Sequence, residues 1–288
     1  TATSTKQHER IRLKSLSEFL SVLRREGELV EIDTAVDSDL ELAEIHRRVV
    51  ACGGPALLFK GVKGADFPCV TNLFGTDRRV ELAFGPRPEN FLKQVVELAQ
   101  ELPSLSAGKL WGHRNLARQG LRVGLKSVRS GPVMECRQEP LDLGRLPLTK
   151  SWPQDGGAFF TLGTVYTEHP VTGHHNLGLY RLQRHDGQTT GVHWQIQKGG
   201  GFHHHKAEQQ NQALPLTVFV GGPPALIMSA IAPLPENVPE LILASLLQGE
   251  RMRRVRHPGS AHPLIAEADF AIHGIVPPRV RRPEGPFG

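Results

Sequence analysis

The chain contains few cysteines and no long apolar run, and both shortages exclude classes of protein. Its three cysteines, Cys52, Cys69 and Cys136, are widely spaced and form no Cys-x-x-Cys pair. That number and spacing argue against a disulfide framework or a structural zinc site, and they favour a reducing cytoplasm. No apolar run approaches the roughly 18 residues of a membrane span, and the N-terminus shows no signal-peptide apolar segment. We therefore expect a cytoplasmic protein without a membrane span.

Charge and size narrow the class further. The formal net charge of +5 is modest for 288 residues. The densest basic cluster, between Arg251 and Arg256, has no interleaved aromatic residues, so we do not expect a nucleic-acid partner. Hydrophobic residues make up 39% and charged residues 22% of the sequence, which is typical of a globular protein. The length favours two domains over one.

The first part of the chain alternates helical and strand patterns. Ser15 and Glu18 form a capping-box sequence ahead of an apolar stripe that stops at Gly27. Ser38 and Glu41 repeat the cap before a second stripe. Short strands are predicted at 29–33, 56–60 and 69–74, and a further helix at 88–102. This alternation predicts an α/β domain over residues 9–115.

A run of strands bounded by turns organises the second part of the chain. Residues 161–167 alternate as a strand, and a turn sequence at 169–173 separates them from a strand at 176–183. Further strands are predicted at 192–197, 216–220 and 263–276. We therefore predict a mainly antiparallel second domain over residues 120–288.

Three polar side chains on this run have the chemistry of a binding site. The amide oxygen of Asn176 and an imidazole nitrogen of His193, with a distant carboxylate, suit Mn²⁺ or Mg²⁺, especially an ion that also holds a phosphate. Arg181 offers a permanent fork of donors for an anion. Ordinary polar positions on a sheet explain the same three residues equally well. Asn176 and Arg181 are five apart, so the strand must bulge or end between them, with Gly178 as the favoured place, if both are to reach one ligand.

A run of three histidines, His203 to His205, follows a glycine-rich stretch. Adjacent side chains on an extended chain point to opposite sides, so three in a row cannot chelate one ion from a strand. We expect them to be surface or interface residues after a turn that passes near a phosphate.

Several motifs together resemble a known enzyme family. The runs Asn-Leu-Gly-Leu-Tyr-Arg at 176–181, Gly-Val-His-Trp-Gln at 191–195 and Lys-Gly-Gly at 198–200 are similar to the cofactor-binding core of UbiD-type decarboxylases. The turn Trp-Pro-Gln-Asp-Gly-Gly at 152–157 and the segment Pro-Glu-Gly-Pro-Phe-Gly at 283–288 match the same family. From the residues alone, Asp155 is predicted to bind local backbone N–H groups in that turn. The resemblance covers nearly the whole chain.

The resemblance implies a fold and a reaction. The fold is α+β, with an N-terminal α/β domain followed by a split β-barrel, flavin reductase-like, that binds the cofactor. These enzymes use prenylated FMN and a divalent metal for non-oxidative, reversible decarboxylation of unsaturated or aromatic carboxylic acids. The expected cofactors are therefore prenylated FMN and Mn²⁺ or Mg²⁺, with K⁺ as a further candidate. The expected partners are a small carboxylic acid, a flavin prenyltransferase that supplies the cofactor, and a second copy of the chain if it forms a homo-oligomer.

The resemblance also assigns residues to roles. The metal ligands fall on Asn176, His193 and Glu240, although a glutamate in the first turn of a helix is also stabilised by the helix dipole. The catalytic residues fall on Arg181 and Glu284. The cofactor-binding residues are expected to be Asn176, Leu179, Tyr180, Arg181, His193, Trp194, Gln195, Lys198, Gly199 and Glu240.

Two departures from the family pattern affect the prediction. His273 stands where the family usually has an acidic residue. The sequence ends at Gly288, just before the position of the family's catalytic acid and its C-terminal domain. We therefore expect a truncated or partly ordered form with weak activity on its own, in which Glu284 is mobile and its pair with Arg181 is long or broken.

Three alternatives stay open at this point. The chain could be a non-catalytic flavin-binding or assembly subunit, or a flavin reductase-like protein that needs no pair between Arg181 and Glu284. A metal-dependent hydrolase could use Asn176, His193 and Glu240, but it would not explain the Pro-Glu-Gly-Pro-Phe-Gly segment.

Overall fold

The computed structural model describes residues 12–85, 123–195, 198–232, 234 and 239–288. In the first of these ranges, helices alternate with short strands as the sequence predicts. α1 (Leu16–Arg25) begins after Ser15, whose side-chain oxygen accepts a hydrogen bond from the N–H of Glu18 at 3.2 Å. The cap predicted for this helix is confirmed.

The remaining elements of the first range form a small α/β unit. β1 (Leu29–Ile32) pairs in parallel with β2 (Ala56–Phe59), and β2 pairs antiparallel with β3 (Cys69–Thr71). α2 (Glu41–Ala51) connects β1 to β2, and α3 (Asp77–Phe84) follows β3. The helix predicted at 88–102 and the boundary between the two predicted domains lie outside the described residues.

α2 starts later than its sequence pattern predicts. Its N-cap is Leu40, which has a φ of 70° and makes no side-chain cap. Ser38 is not the cap, because the N–H of Lys150 donates to the Ser38 carbonyl and the N–H of Leu40 donates to the Lys150 carbonyl. A tertiary contact therefore overrides the local capping signal.

The second part of the chain contains the elements that carry the site. From residue 123 onward the described strands and helices are β4 (Leu125–Val128), β5 (Phe159–Phe160), β6 (Thr164–Glu168), β7 (His175–Leu179), β8 (Leu182–Arg184), β9 (Thr190–Val192), α4 (Gly199–Gln209), β10 (Leu214–Val220), α5 (Pro224–Ile231), α6 (Glu240–Gln248), β11 (Met252–Val255), β12 (Leu264–Ile265) and β13 (Phe270–Val276). No helix in the described part of the chain is long and apolar enough to cross a membrane.

A four-stranded antiparallel sheet with the order β13, β10, β6, β7 lies at the centre. Side chains alternate between its two faces. Val165 and Val218 belong to a smaller apolar core, whereas Tyr166 and Phe219 belong to a larger one. Because Phe19 of α1 is part of the larger core, the N-terminal elements share their buried surface with this sheet.

Two three-stranded sheets complete the described part. β5, β8 and β9 pair antiparallel, and β11 pairs in parallel with β4 and antiparallel with β12. The fold is therefore mixed α/β. Among the described residues none of these sheets closes into a barrel, so the split barrel stays a prediction.

The break expected between Asn176 and Arg181 is present. β7 ends at Leu179, and β8 begins at Leu182 in a different sheet. The prediction of a break is confirmed, but its placement at Gly178 is wrong. Gly178 pairs with Val165 inside β7, and a Cβ there would lie 2.7 Å from the ring of Tyr180, so this glycine makes room for the turn that follows.

Candidate active site

An ion pair between Arg181 and Glu284 lies at the start of β8. The Nε of Arg181 donates to Oε1 of Glu284 at 2.8 Å, and Nη2 donates to Oε2 at 3.0 Å. This two-point geometry fixes the plane of the guanidinium as well as its distance. The two residues are 103 positions apart in the sequence. The two residues that the resemblance assigns to catalysis are therefore in direct contact, and their catalytic roles stay a prediction.

His193 completes this cluster. Its backbone N–H donates to the Arg181 carbonyl at 3.2 Å, which continues the pairing of β8 with β9. Its Nδ1 lies 2.7 Å from Oε2 of Glu284. An ionised carboxylate can only accept, so Nδ1 carries the proton in this arrangement and Nε2 has the free lone pair. The same argument makes the 3.3 Å approach of Arg181 Nη2 to Nδ1 a contact between two donors.

The charge state of Glu284 follows from these neighbours. Partial burial acts to raise its pKa, but hydrogen bonds from Arg181 and His193 and the positive charge of the Arg181 guanidinium outweigh that effect and hold the pKa below its usual value. Glu284 is therefore ionised at neutral pH, when it can accept a proton but cannot donate one.

The segment that carries Glu284 is firmly attached. The N–H of Gly156 donates to the Pro286 carbonyl at 2.8 Å, and the Phe287 ring lies 4.6 Å from that of Phe159. The expectation of a long or broken Arg181 pair is therefore wrong. The Trp-Pro-Gln-Asp-Gly-Gly turn supports the segment from within the chain.

A glycine-rich helix N-terminus forms a second part of the site. α4 opens with Gly199, Gly200 and Gly201, and each lies too close to a neighbour for a side chain. A Cβ on Gly199 would lie 2.2 Å from Oδ1 of Asn176, and one on Gly200 would lie 2.6 Å from the ring of Trp194. The three glycines therefore let the helix terminus approach β7 and the segment after β9.

Tyr180 organises the residues around this terminus. Its hydroxyl accepts hydrogen bonds from the N–H of Gly200 at 2.9 Å and from Nδ2 of Asn176 at 3.4 Å. The ring of Trp194 packs edge-on at 4.9 Å, and Nζ of Lys198 lies 5.9 Å from the Tyr180 ring centre. Burial raises the pKa of Tyr180, so its hydroxyl remains neutral.

Glu240 lies at the start of α6 beside the edge of β7. Burial raises the pKa of its carboxyl, and backbone hydrogen bonds at Glu240 itself and at Leu177 oppose the rise. Leu177 follows Asn176, so Glu240 and Asn176 are neighbours on this edge. His193, by contrast, contacts Arg181 and Glu284. The convergence of Asn176, His193 and Glu240 on one metal ion stays a prediction.

The other predicted contact residues occupy the rim of these two groups. Leu179, at the end of β7, packs against the larger core. Gln195 is exposed, and its carbonyl accepts the N–H of Lys198 at 3.0 Å. Their assignment to the cofactor stays a prediction.

The histidine run differs from the sequence expectation. His203 to His205 lie within α4, and His203 and His204 are 6% and 5% exposed. In a helix, consecutive side chains are only about 100° apart, so two neighbours can both face the interior. Nδ1 of His203 contacts the Thr167 hydroxyl at 2.9 Å, and burial lowers the pKa of His203 to about 4. The expected surface position is therefore wrong for these two residues.

The sequence analysis did not single out Gln183, and it predicted only the local hydrogen bonds of Asp155. Asp155 accepts the N–H groups of Ser151 and Trp152, as predicted for a turn residue, and its other oxygen accepts the N–H of Gly288 at 3.0 Å. Gln183 is buried and hydrogen-bonds two separate segments. Its only sequence signal is its position two residues after Arg181.

Comparison with protein families identifies the class. Residues 126–288 match the 3-octaprenyl-4-hydroxybenzoate carboxy-lyase Rift-related domain, and residues 20–99 match the N-terminal domain of the same carboxy-lyase. The first match alone covers more than half of the chain. The chain therefore belongs to the UbiD family of decarboxylases.

Individual relatives agree with this assignment. A protein from Chlamydia pneumoniae that is named as a subunit of 4-hydroxybenzoate decarboxylase is 47% identical over 95% of this chain and 46% of its own length. The closed form of vanillic acid decarboxylase from Sedimentibacter hydroxybenzoicus has a TM-score of 0.80 at 27% identity, over 96% of this chain and 57% of that chain.

HmfF from Pelotomaculum thermopropionicum, a UbiD-class enzyme in complex with FMN, has a TM-score of 0.78 at 27% identity, over 95% of this chain and 57% of that chain. An evolved dimeric form of HmfF is in complex with prFMN. The chain spans about half the length of the curated relatives it matches.

Proposed function

We propose that this chain supplies the cofactor-binding and carboxylate-binding part of a carboxy-lyase that uses prenylated FMN and a divalent metal. Its reaction is the non-oxidative, reversible decarboxylation of an unsaturated or aromatic carboxylic acid. The observation that carries the proposal is the two-point pair between Arg181 and Glu284 beside His193. Family membership and the flavin complexes of HmfF support it.

The donors around α4 fit a flavin phosphate. The first turn of a helix presents backbone N–H groups and the positive end of the helix dipole. Lys198 precedes this turn, and Nε1 of Trp194 is buried without a hydrogen-bond partner among the described residues. These groups are hydrogen-bond donors and one cation, and an anion such as a phosphate binds to groups of this kind.

The donors that a metal ion requires are also available. Nδ1 of His193 donates to a carboxylate, which leaves Nε2 for a metal, and metal-binding histidines commonly have this arrangement. Glu240 is half-buried with a raised pKa, and a cation beside it would offset the cost of burying its charge. Asn176 would add an amide oxygen. We propose these three as ligands of Mn²⁺ or Mg²⁺, with K⁺ as a further candidate ion.

Arg181 and Glu284 would act on the substrate. Arg181 uses Nε and Nη2 for Glu284, and within the described residues Nη1 has no hydrogen-bond partner, so Nη1 can bind the substrate carboxylate. The ionised Glu284 keeps the guanidinium in one plane and can take up a proton at a carboxylate oxygen. When bound, prenylated FMN supplies the sink for the electrons that departing CO₂ leaves behind.

Several finer assignments belong to the same proposal. They are the domain limits 9–115 and 120–288, the split barrel, a cytoplasmic location and a flavin prenyltransferase as the source of the cofactor. The chlamydial relative is named as one subunit of an enzyme, so we also propose that the active protein is an assembly, with further subunits or copies of the chain.

The test separates cofactor binding from turnover. The purified protein is titrated with FMN and with prenylated FMN, with and without Mn²⁺, and flavin fluorescence is followed. The loaded protein is then supplied with aromatic and α,β-unsaturated acids, and CO₂ release and exchange of ¹³CO₂ into the acid are measured. Arg181→Lys should reduce both rates at least about 10²-fold, whereas Arg137→Lys, at an exposed position, should not.

The outcomes discriminate between the candidate functions. Flavin binding with decarboxylation that depends on Arg181 supports the proposal. Flavin binding without turnover on any acid would favour the non-catalytic subunit. Reduction of FMN by a nicotinamide cofactor without CO₂ release would favour a flavin reductase, and absence of flavin binding would contradict the proposal altogether.

A further inference from the structure

Arg181 and Gln183 present their side chains on the same side of the chain. Arg181 immediately precedes β8 and Gln183 lies within it. The hydrogen bond from the His193 N–H to the Arg181 carbonyl continues the strand pairing back to Arg181, and side chains two apart on extended backbone share a face. The residue between them, Leu182, belongs to the smaller core. This face therefore projects a guanidinium and an amide toward the segment that contains Glu284.

Gln183 uses both ends of its amide on two different segments. Its Oε1 accepts the N–H of Gly285 at 2.9 Å, and its Nε2 donates to the Gly156 carbonyl at 2.8 Å. Gly285 directly follows Glu284. The side chain of Gln183 is 5% exposed, and both hydrogen bonds are partly buried.

The two segments approach each other at Gly156 and Gly285, too closely for a side chain on either residue. A Cβ on Gly156 would lie 2.3 Å from Cα of Gly285, and a Cβ on Gly285 would lie 2.3 Å from Cα of Gly156. The contact is therefore backbone against backbone, with Gln183 across it. Without the amide, the Gly285 N–H and the Gly156 carbonyl would each lose a partly buried hydrogen-bond partner.

The segment that contains Glu284 has a second anchor, which lies before Glu284 in the sequence and is made by α4. Glu208 of α4 accepts two hydrogen bonds from the guanidinium of Arg281, at 2.7 and 2.9 Å, and one from the N–H of Arg279 at 2.8 Å. The two arginines of this anchor lie three and five residues before Glu284. Gln183 is adjacent to Glu284 through Gly285, and it follows Arg181 by two residues in the sequence.

We propose that Gln183 is a positioning residue that holds the backbone beside Glu284 in register with β8, so that the Glu284 carboxylate faces Arg181 and His193. The assignment of a catalytic consequence rests on the proposed decarboxylase function. The positional effect itself does not, because it concerns an ion pair within this chain. Gln183 acts in this way through the backbone of Gly285 and needs no contact with substrate or cofactor.

The test uses Gln183→Asn, which keeps the amide on a shorter side chain, and Gln183→Met, which keeps the length without the amide. Gln212→Met, at an exposed position on the loop before β10, is the matched control. The first measurement is the hydrogen-exchange rate of Arg181 Nε–H by NMR, with the signal assigned through Arg181→Lys. The second is the split between kcat and KM for decarboxylation by the cofactor-loaded protein.

We expect both Gln183 variants to accelerate exchange at Arg181 Nε–H at least about tenfold, toward the rate in Glu284→Gln. We expect kcat to fall about 10²-fold, since a displacement of about 1 Å at a reacting group can have that effect, with KM changed less than about threefold. Gln212→Met should change neither quantity.

Each other result decides the question. Slow exchange at Arg181 in both folded Gln183 variants would overturn the proposal. Loss of the native circular dichroism in both variants would make Gln183 a purely structural residue and would overturn it as well. Faster exchange in a protein that shows no decarboxylation even without substitution would uphold the positioning role and favour a non-catalytic subunit over a catalytic one.

Discussion

Replacement of Glu284 by glutamine separates catalysis from stability. The substitution keeps the size of the side chain and removes the negative charge that pairs with Arg181. The side chains of Arg181 and Glu284 are 34% and 23% exposed, and ion pairs with this much solvent contact contribute about 1 kcal/mol or less. The neighbouring contacts of Gly285 and Phe287 do not involve the carboxylate. We therefore expect the free energy of unfolding to fall by about 1 kcal/mol.

The expected effect on the reaction is larger. Loss of a proton-transfer group reduces rates about 10²–10⁴-fold, which corresponds to roughly 3–5 kcal/mol in the activation free energy at 1.36 kcal/mol for each factor of ten. Urea unfolding and the decarboxylation rate of the cofactor-loaded protein measure the two quantities on the same preparation. Glu139→Gln, in an exposed pair with Arg137, is the matched control.

Two outcomes would refute this reasoning. A rate that falls less than tenfold in Glu284→Gln would show that the carboxylate has no role in proton transfer. A loss of more than about 3 kcal/mol in unfolding free energy would show that the pair holds the segment in place, since that is the range for breaking a buried pair.

Three further predictions test the glycine-rich N-terminus of α4, an ion pair and the core. Gly199→Ala should weaken FMN binding at least about tenfold in a fluorescence titration, because the added Cβ would lie 2.2 Å from Oδ1 of Asn176 and displace the α4 terminus. Hydrogen bonds from Arg281 lower the pKa of Glu208 to about 2; its carboxylate therefore stabilises the fold above the ordinary pKa of 4.5, and this contribution is lost as the pH falls through about 2. Urea unfolding between pH 7 and pH 2.5 should accordingly show a weaker acid dependence in Glu208→Gln. Phe219→Ala should reduce the unfolding free energy by about 3–5 kcal/mol, since Phe219 is 0% exposed.

Each of these predictions has a control and a contradicting result. Gly274→Ala has room for its Cβ and should bind FMN normally. An unchanged FMN affinity in Gly199→Ala would show that the N-terminus of α4 does not bind the flavin. Glu81→Gln, in an exposed pair, should retain the acid dependence; an unaltered slope in Glu208→Gln would contradict the assigned charge effect. Phe202→Ala, at 49% exposure, should cost little, and a similarly small cost at Phe219 would place that ring outside the core.

The sequence predicted features that depend on neighbouring residues. The cap of α1, the antiparallel strands and the break between Asn176 and Arg181 follow from local patterns, because hydrogen bonds and side-chain alternation over a few residues decide them. The motifs between residues 152 and 200, together with the Pro-Glu-Gly-Pro-Phe-Gly segment, indicated the family, and the resemblance assigned catalytic roles to Arg181 and Glu284. Even the failed cap at Ser38 was a sound local signal, replaced by a contact with Lys150.

Only the tertiary structure decided where distant groups meet. Gln183 and Gly285 are 102 positions apart, and no periodicity links them; their hydrogen bond exists because β8 and the end of the chain pack on the same turn. His203 and His204 are buried because three glycines allow α4 to approach β7, where an extended chain would have left them at the surface. Local patterns specify which segments can form helices and strands. Long-range packing decides which side chains and backbone groups are buried against each other. At this site, that packing places Glu284 against Arg181.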